Sequence, residues 1–198
     1  MSTSISASQV KDLRTMTGAP MMDCKKALSE SGGDVDKAVD WLRKRGIAKA
    51  AKKAGREASE GLVSSYIHHN GRVGVLLEVN CETDFMAATD QFKLFCREVS
   101  LHIASMNPLC VNREEVPAEL VAKETEILKA QIDQSKPAEI QEKMLVGRLN
   151  KFYAERVLLD QAFVKDDSKT IEQYRTEAVG NLGENIKIHR FARFEIGS

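Results

Sequence analysis

The residues of this chain that could do chemistry are few and scattered. His68 and His69 form an adjacent pair, Cys81 and Asp84 follow about a strand's length later, and Cys24, Cys96 and Cys110 complete the thiols. Metal binding or acid–base work would need several of these within a few ångströms of each other. In an extended strand neighbouring side chains point to opposite faces, which separates His68 from His69. At about 3.3 Å per residue, the run up to Cys81 sets the histidines roughly 30 Å from it. The cysteines show no CxxC pair, and buried structural thiols are the ordinary reading for all four. An enzyme built on Cys81 or the histidines would show thiol-dependent turnover. No GxGxxG, GxxxxGK[ST], GxSxG or HExxH is present, so nucleotide hydrolysis and the familiar hydrolytic mechanisms have no residues to stand on.

A different kind of chemistry is suggested by Asn80-Cys81-Glu82-Thr83-Asp84-Phe85-Met86, where an apolar strand-like run breaks into a polar turn. Phe85 is the unusual residue. A large aromatic there either packs inward as a lid on its own core or projects outward as an anchor for another surface, and the residues alone leave both readings open. Met21 and Met22 pose a similar question. Adjacent helical positions point about 100° apart, so the two cannot share one small core, and an exposed methionine is a soft apolar contact.

The elements that must position these residues are legible from periodicity. Ser6-Ala7-Ser8-Gln9 has the form of a capping box and opens a helix with Val10 and Leu13 inward, closing at Thr17-Gly18. Pro20 opens a second helix burying Cys24, Ala27 and Leu28, and Asp34 caps a third carrying Val35, Ala38, Val39 and Leu42. Residues 1–46 therefore read as a small three-helix bundle, marginal alone and suited to docking, and it resembles a ubiquitin-associated-type bundle. Residues 47–57 form a basic linker. In and around it stand Arg43, Lys44, Arg45, Lys49, Lys52, Lys53 and Arg56 without interleaved aromatics, which fits a solvated helical connection better than a phosphate-binding patch. A ubiquitin-type or RNA-binding adaptor is the rival this stretch supports.

The remaining residues, 58–198, are expected to form an α+β core domain with a three-stranded antiparallel sheet packed by helices. Gly61 to His68 and Arg72 to Cys81 flank His69-Asn70-Gly71 and make a hairpin. Thr89 or Asp90 caps a helix with Phe92, Phe95, Cys96, Val99 and Ile103 on one stripe, stopped at Asn107-Pro108. Pro117 to Gln134 and Ala138 to about Phe163 predict an antiparallel helical hairpin projecting as an arm (117–163), with Leu120, Ile127, Leu128 and Ile132 facing Met144, Leu145, Leu149 and Phe152. A last helix lies near Ile171 to Val179. The third strand is read at Asn185 to Ile196, with Ile186, Ile188, Phe194 and Ile196 on one parity and Phe191 on the other. Lys plus Arg and Asp plus Glu both number 29 in 198 residues, so there is no overall pull toward nucleic acid or anionic membrane. With no signal peptide, no membrane-length apolar run and unpaired cysteines, a cytoplasmic location is expected.

Three segments carry a resemblance to a known family. Leu76 to Phe85 (LLEVNCETDF), Val10 to Ala54, and Gly183 to Glu195 (GENIKI followed by HRFARFE) resemble, in order, the core signature, amino-terminal domain and last core strand of translation elongation factor Ts. The resemblance implies a guanine nucleotide exchange factor for elongation factor Tu, working without cofactor, metal or covalent chemistry. Thr83, Asp84 and Phe85, with Met86 beside them, match the family's Thr-Asp-Phe motif. Its Phe inserts beside histidines of the partner and displaces a helix and the Mg²⁺ region, and Asp84 takes a turn-holding and polar-contact role. Arg14, Met21 and Met22 match positions that contact the partner's nucleotide-binding domain. Leu182 and Gly183 match a position near that domain, and His69 is a further candidate. Pro20 stands where Gly is commoner and Met86 where Val is usual. Larger members carry two related core modules and this chain has sequence for one, so a homodimer and a two-plus-two complex with the partner are expected.

Overall fold

The computed structural model describes residues 5–133 and 135–197; Gln134, the expected last residue of the first hairpin helix, lies outside the described residues. Helix α1 (Ala7–Thr17) starts at the capping box: the Gln9 amide donates to Ser6 Oγ (3.2 Å) and the Ser6 amide to Gln9 Oε1 (2.9 Å), so two orphan donors are satisfied reciprocally. Helix α2 (Met21–Glu30) follows Pro20, and Asp34 caps α3 (Val35–Lys53) by accepting the Lys37 amide at 3.1 Å. Val10, Leu13, Cys24, Ala27, Leu28 and Ala38 form one buried cluster flanked by Trp41 and Leu42. The third helix does not stop at residue 46. It runs on through the basic stretch to Lys53, because Ala, Lys and Arg are strong helix formers and the isolated Gly46 costs only about 1 kcal/mol. Asp23 holds two of its cations, Lys49 at 2.6 Å and Arg45 at 3.3 Å.

Strands β1 (Glu60–Ile67), β2 (Val73–Cys81) and β5 (Lys187–Glu195) form a three-stranded antiparallel sheet in the order β1-β2-β5. The hairpin turns at His69-Asn70-Gly71. His69 and Asn70 sit in its centre without positive φ, the Gly71 amide donates to His68 O (2.8 Å), and Gly71 supplies the left-handed φ of 67° just after. On β2, Val75, Leu77, Val79 and Cys81 alternate inward, while Phe92, Phe95, Cys96, Val99 and Ile103 make the buried stripe of α5 (Asp90–Met106). Thr89 caps that helix, accepting the Phe92 amide at 3.2 Å.

Burial along the third strand is uneven within one parity. Ile186 and Ile188 are buried, but Phe194 and Ile196 are 68% and 62% exposed, and it is Phe191 and Arg193 that are half-buried farther along. Burial thus passes from one parity, at Ile186 and Ile188, to the other, at Phe191 and Arg193, along the strand.

Helices α6 (Ala118–Ala130) and α7 (Ala138–Arg156) pack on each other, with Leu128 half-buried and Ile132 buried just beyond α6, while Ile127 is exposed. The second of them ends seven residues earlier than its periodicity suggested. Val157 turns extended and is fully buried, and the chain then forms a small antiparallel pair, β3 (Ala162–Phe163) and β4 (Asp166–Thr170), before α8 (Ile171–Leu182). A buried polar relay anchors this region. The Val164 amide donates to His102 Nδ1 (3.2 Å), so Nε2 carries the proton and donates to Gln161 Oε1 (2.9 Å), and Gln161 Nε2 donates to Glu155 O (2.9 Å).

Packing divides the described chain into two compact units. The first holds the residues up to Gly61 together with Asn80–Phe92 and Arg175–Lys187; the second holds Leu62–Val79, Lys93–Tyr174 and the chain from Ile188 onward.

Candidate partner-binding site

The polar turn after β2 is built by a short helix start. Thr83 is extended and caps α4 (Asp84–Ala88), its Oγ1 accepting the Met86 amide at 3.2 Å, which makes Asp84 and Phe85 the first two residues of that helix. Both point into solvent. Phe85 is 82% exposed, which decides between the two readings of this residue: it is not a lid on its own core. Met86 is half-buried, with Thr89 Oγ1 donating to its carbonyl at 2.8 Å. Cys81, fully buried at the strand end, donates its thiol to Thr83 O (3.2 Å).

The turn is held from a distant part of the chain. One oxygen of the Glu184 carboxylate, Oε2, accepts the amides of Glu82 and Thr83, both at 3.0 Å, and the other, Oε1, accepts the Thr83 hydroxyl at 2.6 Å. Glu82 returns the arrangement by accepting the Asn185 amide at 2.7 Å. Asn185 is buried and donates its side-chain amide to Arg56 O (2.8 Å), Lys53 Nζ donates to Gly183 O, and Asn181 Nδ2 donates to Thr17 O (3.2 Å). The five residues 181–185 thus tie together the end of α1, the end of α3 and the Thr83 turn. Sequence reasoning singled out Leu182 and Gly183 in this segment but missed Asn181, Glu184 and Asn185. The available signal was three hydrogen-bonding side chains bracketing a glycine at a helix end, with Gly183 adopting a φ of 88° as the left-handed residue after α8.

Of the residues singled out from sequence, Arg14, Met21, Met22, Thr83, Asp84, Phe85, Met86, Leu182 and Gly183 all fall in the first compact unit; His69, exposed at the hairpin turn, falls in the second. Arg14 is exposed in the last turn of α1. Met21 and Met22 are 44% and 71% exposed, so neither is committed to the bundle core, and Met16 in the preceding helix adds a third exposed thioether.

Electrostatics argue against thiol chemistry. Burial raises the Cys24 and Cys81 thiols above their ordinary range and pushes Cys110 up to about 11, which keeps them protonated and poorly nucleophilic. Among the described residues no group of three His, Cys, Asp or Glu could hold a metal ion, and no helix is long and apolar enough to cross a membrane. What the first unit offers is an exposed aromatic on a braced turn, exposed methionines and a basic residue, a combination suited to protein recognition.

Comparison with known proteins agrees with that chemistry. The family model described as elongation factor TS matches residues 7–198. The chain is 56% identical over 194 residues to elongation factor Ts of Syntrophomonas wolfei, covering 98% of this chain and 91% of that protein. It is 54% identical to the Geobacter sulfurreducens elongation factor Ts over 195 residues (98% and 90% covered). It is also 54% identical to that of Fervidobacterium nodosum over 194 residues (98% of each chain). On a match spanning almost its whole length, this chain belongs to the elongation factor Ts family.

Proposed function

We propose that this protein is a cytoplasmic guanine nucleotide exchange factor for elongation factor Tu, releasing GDP by conformational work alone. The observation that carries the reading is the 82% exposed Phe85 on a turn braced by six polar contacts or caps from its own unit. A protein keeps a large aromatic in water on a rigid mount only at a cost that burial in a partner can offset. Burial of such a ring is worth about 1.5–3 kcal/mol, within the range of interface hot spots.

Exchange requires differential binding. A factor with equal affinity for GDP-bound and nucleotide-free partner shifts nothing, so this protein prefers a distorted, nucleotide-free form and passes through a ternary complex. In our reading Phe85 inserts into the partner near its Mg²⁺ site, with Thr83, Asp84 and Met86 making the surrounding contacts. Mg²⁺ tolerates little departure from octahedral oxygen geometry, so a small displacement releases the metal and loosens the phosphates. Arg14, Met21 and Met22 dock on the partner's nucleotide-binding domain, with Leu182 and Gly183 close by and His69 as a separate contact. The three-helix unit is the ubiquitin-associated-like docking module of this scheme, and α6 and α7 are its projecting antiparallel arm.

Two copies act together. The exposed sheet face carries Val63, Ile67, Leu76, Phe194 and Ile196, each about half to two-thirds exposed, and Ile67, Leu76, Phe194 and Ile196 line one groove. An apolar face of this extent is suited to a second copy of the same face, giving a homodimer and a two-plus-two complex.

The test is release of fluorescent GDP from elongation factor Tu followed by stopped flow with substoichiometric protein. Acceleration with turnover is expected, and excess GDP should expel the protein from its partner by the same coupling factor. No acceleration overturns the reading.

A further inference from the structure

We infer that Glu184 is a positioning residue for exchange, setting the direction in which Phe85 projects. The inference rests on the reading of Phe85 as the inserted residue and goes beyond it by naming what aims that residue.

Glu184 has a carboxylate whose two oxygens are both used on one short stretch of backbone. Oε2 receives the consecutive amides of Glu82 and Thr83 at 3.0 Å each, and Oε1 receives the Thr83 hydroxyl at 2.6 Å. Hydrogen bonds to an ionised acceptor are the strong ones, and three of them leave the turn little freedom. Because the Thr83 hydroxyl gives its proton to Glu184, its lone pairs stay directed at the Met86 amide, which it caps at 3.2 Å. The orientation of α4, and with it of Phe85 at its second position, is therefore set through Thr83 by a side chain 99 to 102 residues away in sequence from the four residues it directs.

The mount of Glu184 is itself braced. Gly183 precedes it with a φ of 88°, its carbonyl held by Lys53, and the next amide, that of Asn185, is held by Glu82 at 2.7 Å. A fully exposed ring on an unbraced turn would have to be ordered at the moment of binding; the brace removes that cost beforehand. Among the described residues, it is the Glu184 carboxylate that accepts both the Glu82 and the Thr83 amides.

The experiment is a double-mutant cycle in stopped-flow GDP release from elongation factor Tu, using the full chain as wild type, Glu184→Ala, Glu184→Gln, Phe85→Ala and Glu184→Ala/Phe85→Ala. Glu184→Ala should lower the acceleration at least about tenfold, and in the Phe85→Ala background it should cost no further loss beyond about twofold. Glu184→Gln should restore most of the activity, because its amide oxygen still accepts both backbone N–H groups while its NH2 cannot accept the Thr83 hydroxyl. If Phe85→Ala is impaired and Glu184→Ala is not, the positioning role is overturned while the Phe85 reading stands. An equal further loss in both backgrounds also overturns it, since that is what general damage to the fold produces. Unimpaired Phe85→Ala overturns both. If Glu184→Ala does not fold, Thr83→Val, which removes the hydroxyl that joins Glu184 to the Met86 amide, carries the same cycle, with additivity to Phe85→Ala again the overturning result.

Discussion

Removing the Phe85 ring should separate exchange activity from stability more cleanly than any other change in this chain. The ring is 82% exposed, so Phe85→Ala takes almost nothing from the protein's own core. Exposed substitutions of this kind stay within about 0.5 kcal/mol, which for a chain of this size is a shift in Tm of no more than about 2 °C. The loss on the partner's side is larger. A Phe side chain that buries roughly 200 Å², of which about four-fifths is available to a partner, represents at most about 4 kcal/mol at 25 cal/mol per Å². Imperfect burial and the contact retained by alanine reduce this to about 1.5–3 kcal/mol, a loss of roughly 10- to 150-fold in the second-order rate of GDP release. Stopped-flow exchange with elongation factor Tu, paired with thermal unfolding monitored by circular dichroism, reads both quantities. Wild-type exchange by the variant would refute the argument, and so would a loss of exchange that tracks a large fall in Tm.

Three further tests follow from other parts of the structure. His102 is buried and neutral, its pKa held below the ordinary 6.5 mainly by desolvation, so the unfolded chain binds more protons than the folded one. Its contribution is fully present above about pH 6.5 and is lost as pH falls toward the depressed folded value; Tm should drop between pH 7.5 and 5, and His102→Gln should flatten that slope whatever it does to absolute stability. Two glycines in helix interiors should respond oppositely to alanine. A Cβ on Gly180 would lie 3.0 Å from the Gly46 Cα, backbone that cannot swing away, whereas a Cβ on Gly147 meets nothing within 4 Å. Gly147→Ala should raise Tm by the equivalent of about 0.5–1 kcal/mol and Gly180→Ala should lower it, as differential scanning calorimetry will show. Phe194→Lys places a charge on the exposed sheet face and should convert a homodimer to a 22.0 kDa monomer by light scattering; a wild type already monomeric at micromolar concentration defeats the dimer proposal.

Much of the fold was written locally. The Ser6–Gln9 capping box, the Asp34 cap, the α5 stripe from Phe92 to Ile103 and the alternating strand β2 depend on residues three or four apart or on strict alternation, and each was readable because its cause lies within its own segment. The errors share the opposite origin. Helix α7 ends at Arg156 because Val157 is drawn into a buried, extended position, and the β3–β4 pair depends on a His102–Gln161 relay spanning 59 residues.

The candidate site divides in the same way. Sequence by itself marked Thr83, Asp84 and Phe85 as a turn of unusual composition and, through likeness to a family, placed the chain among elongation factor Ts proteins. It could not say whether Phe85 faced the core or the solvent. That depended on where the Glu82 and Thr83 amides found an acceptor, and the acceptor is Glu184, about a hundred residues along the chain. Backbone donors at a strand end must be satisfied by something, but which side chain does so is settled only when the chain has folded and brought the two together.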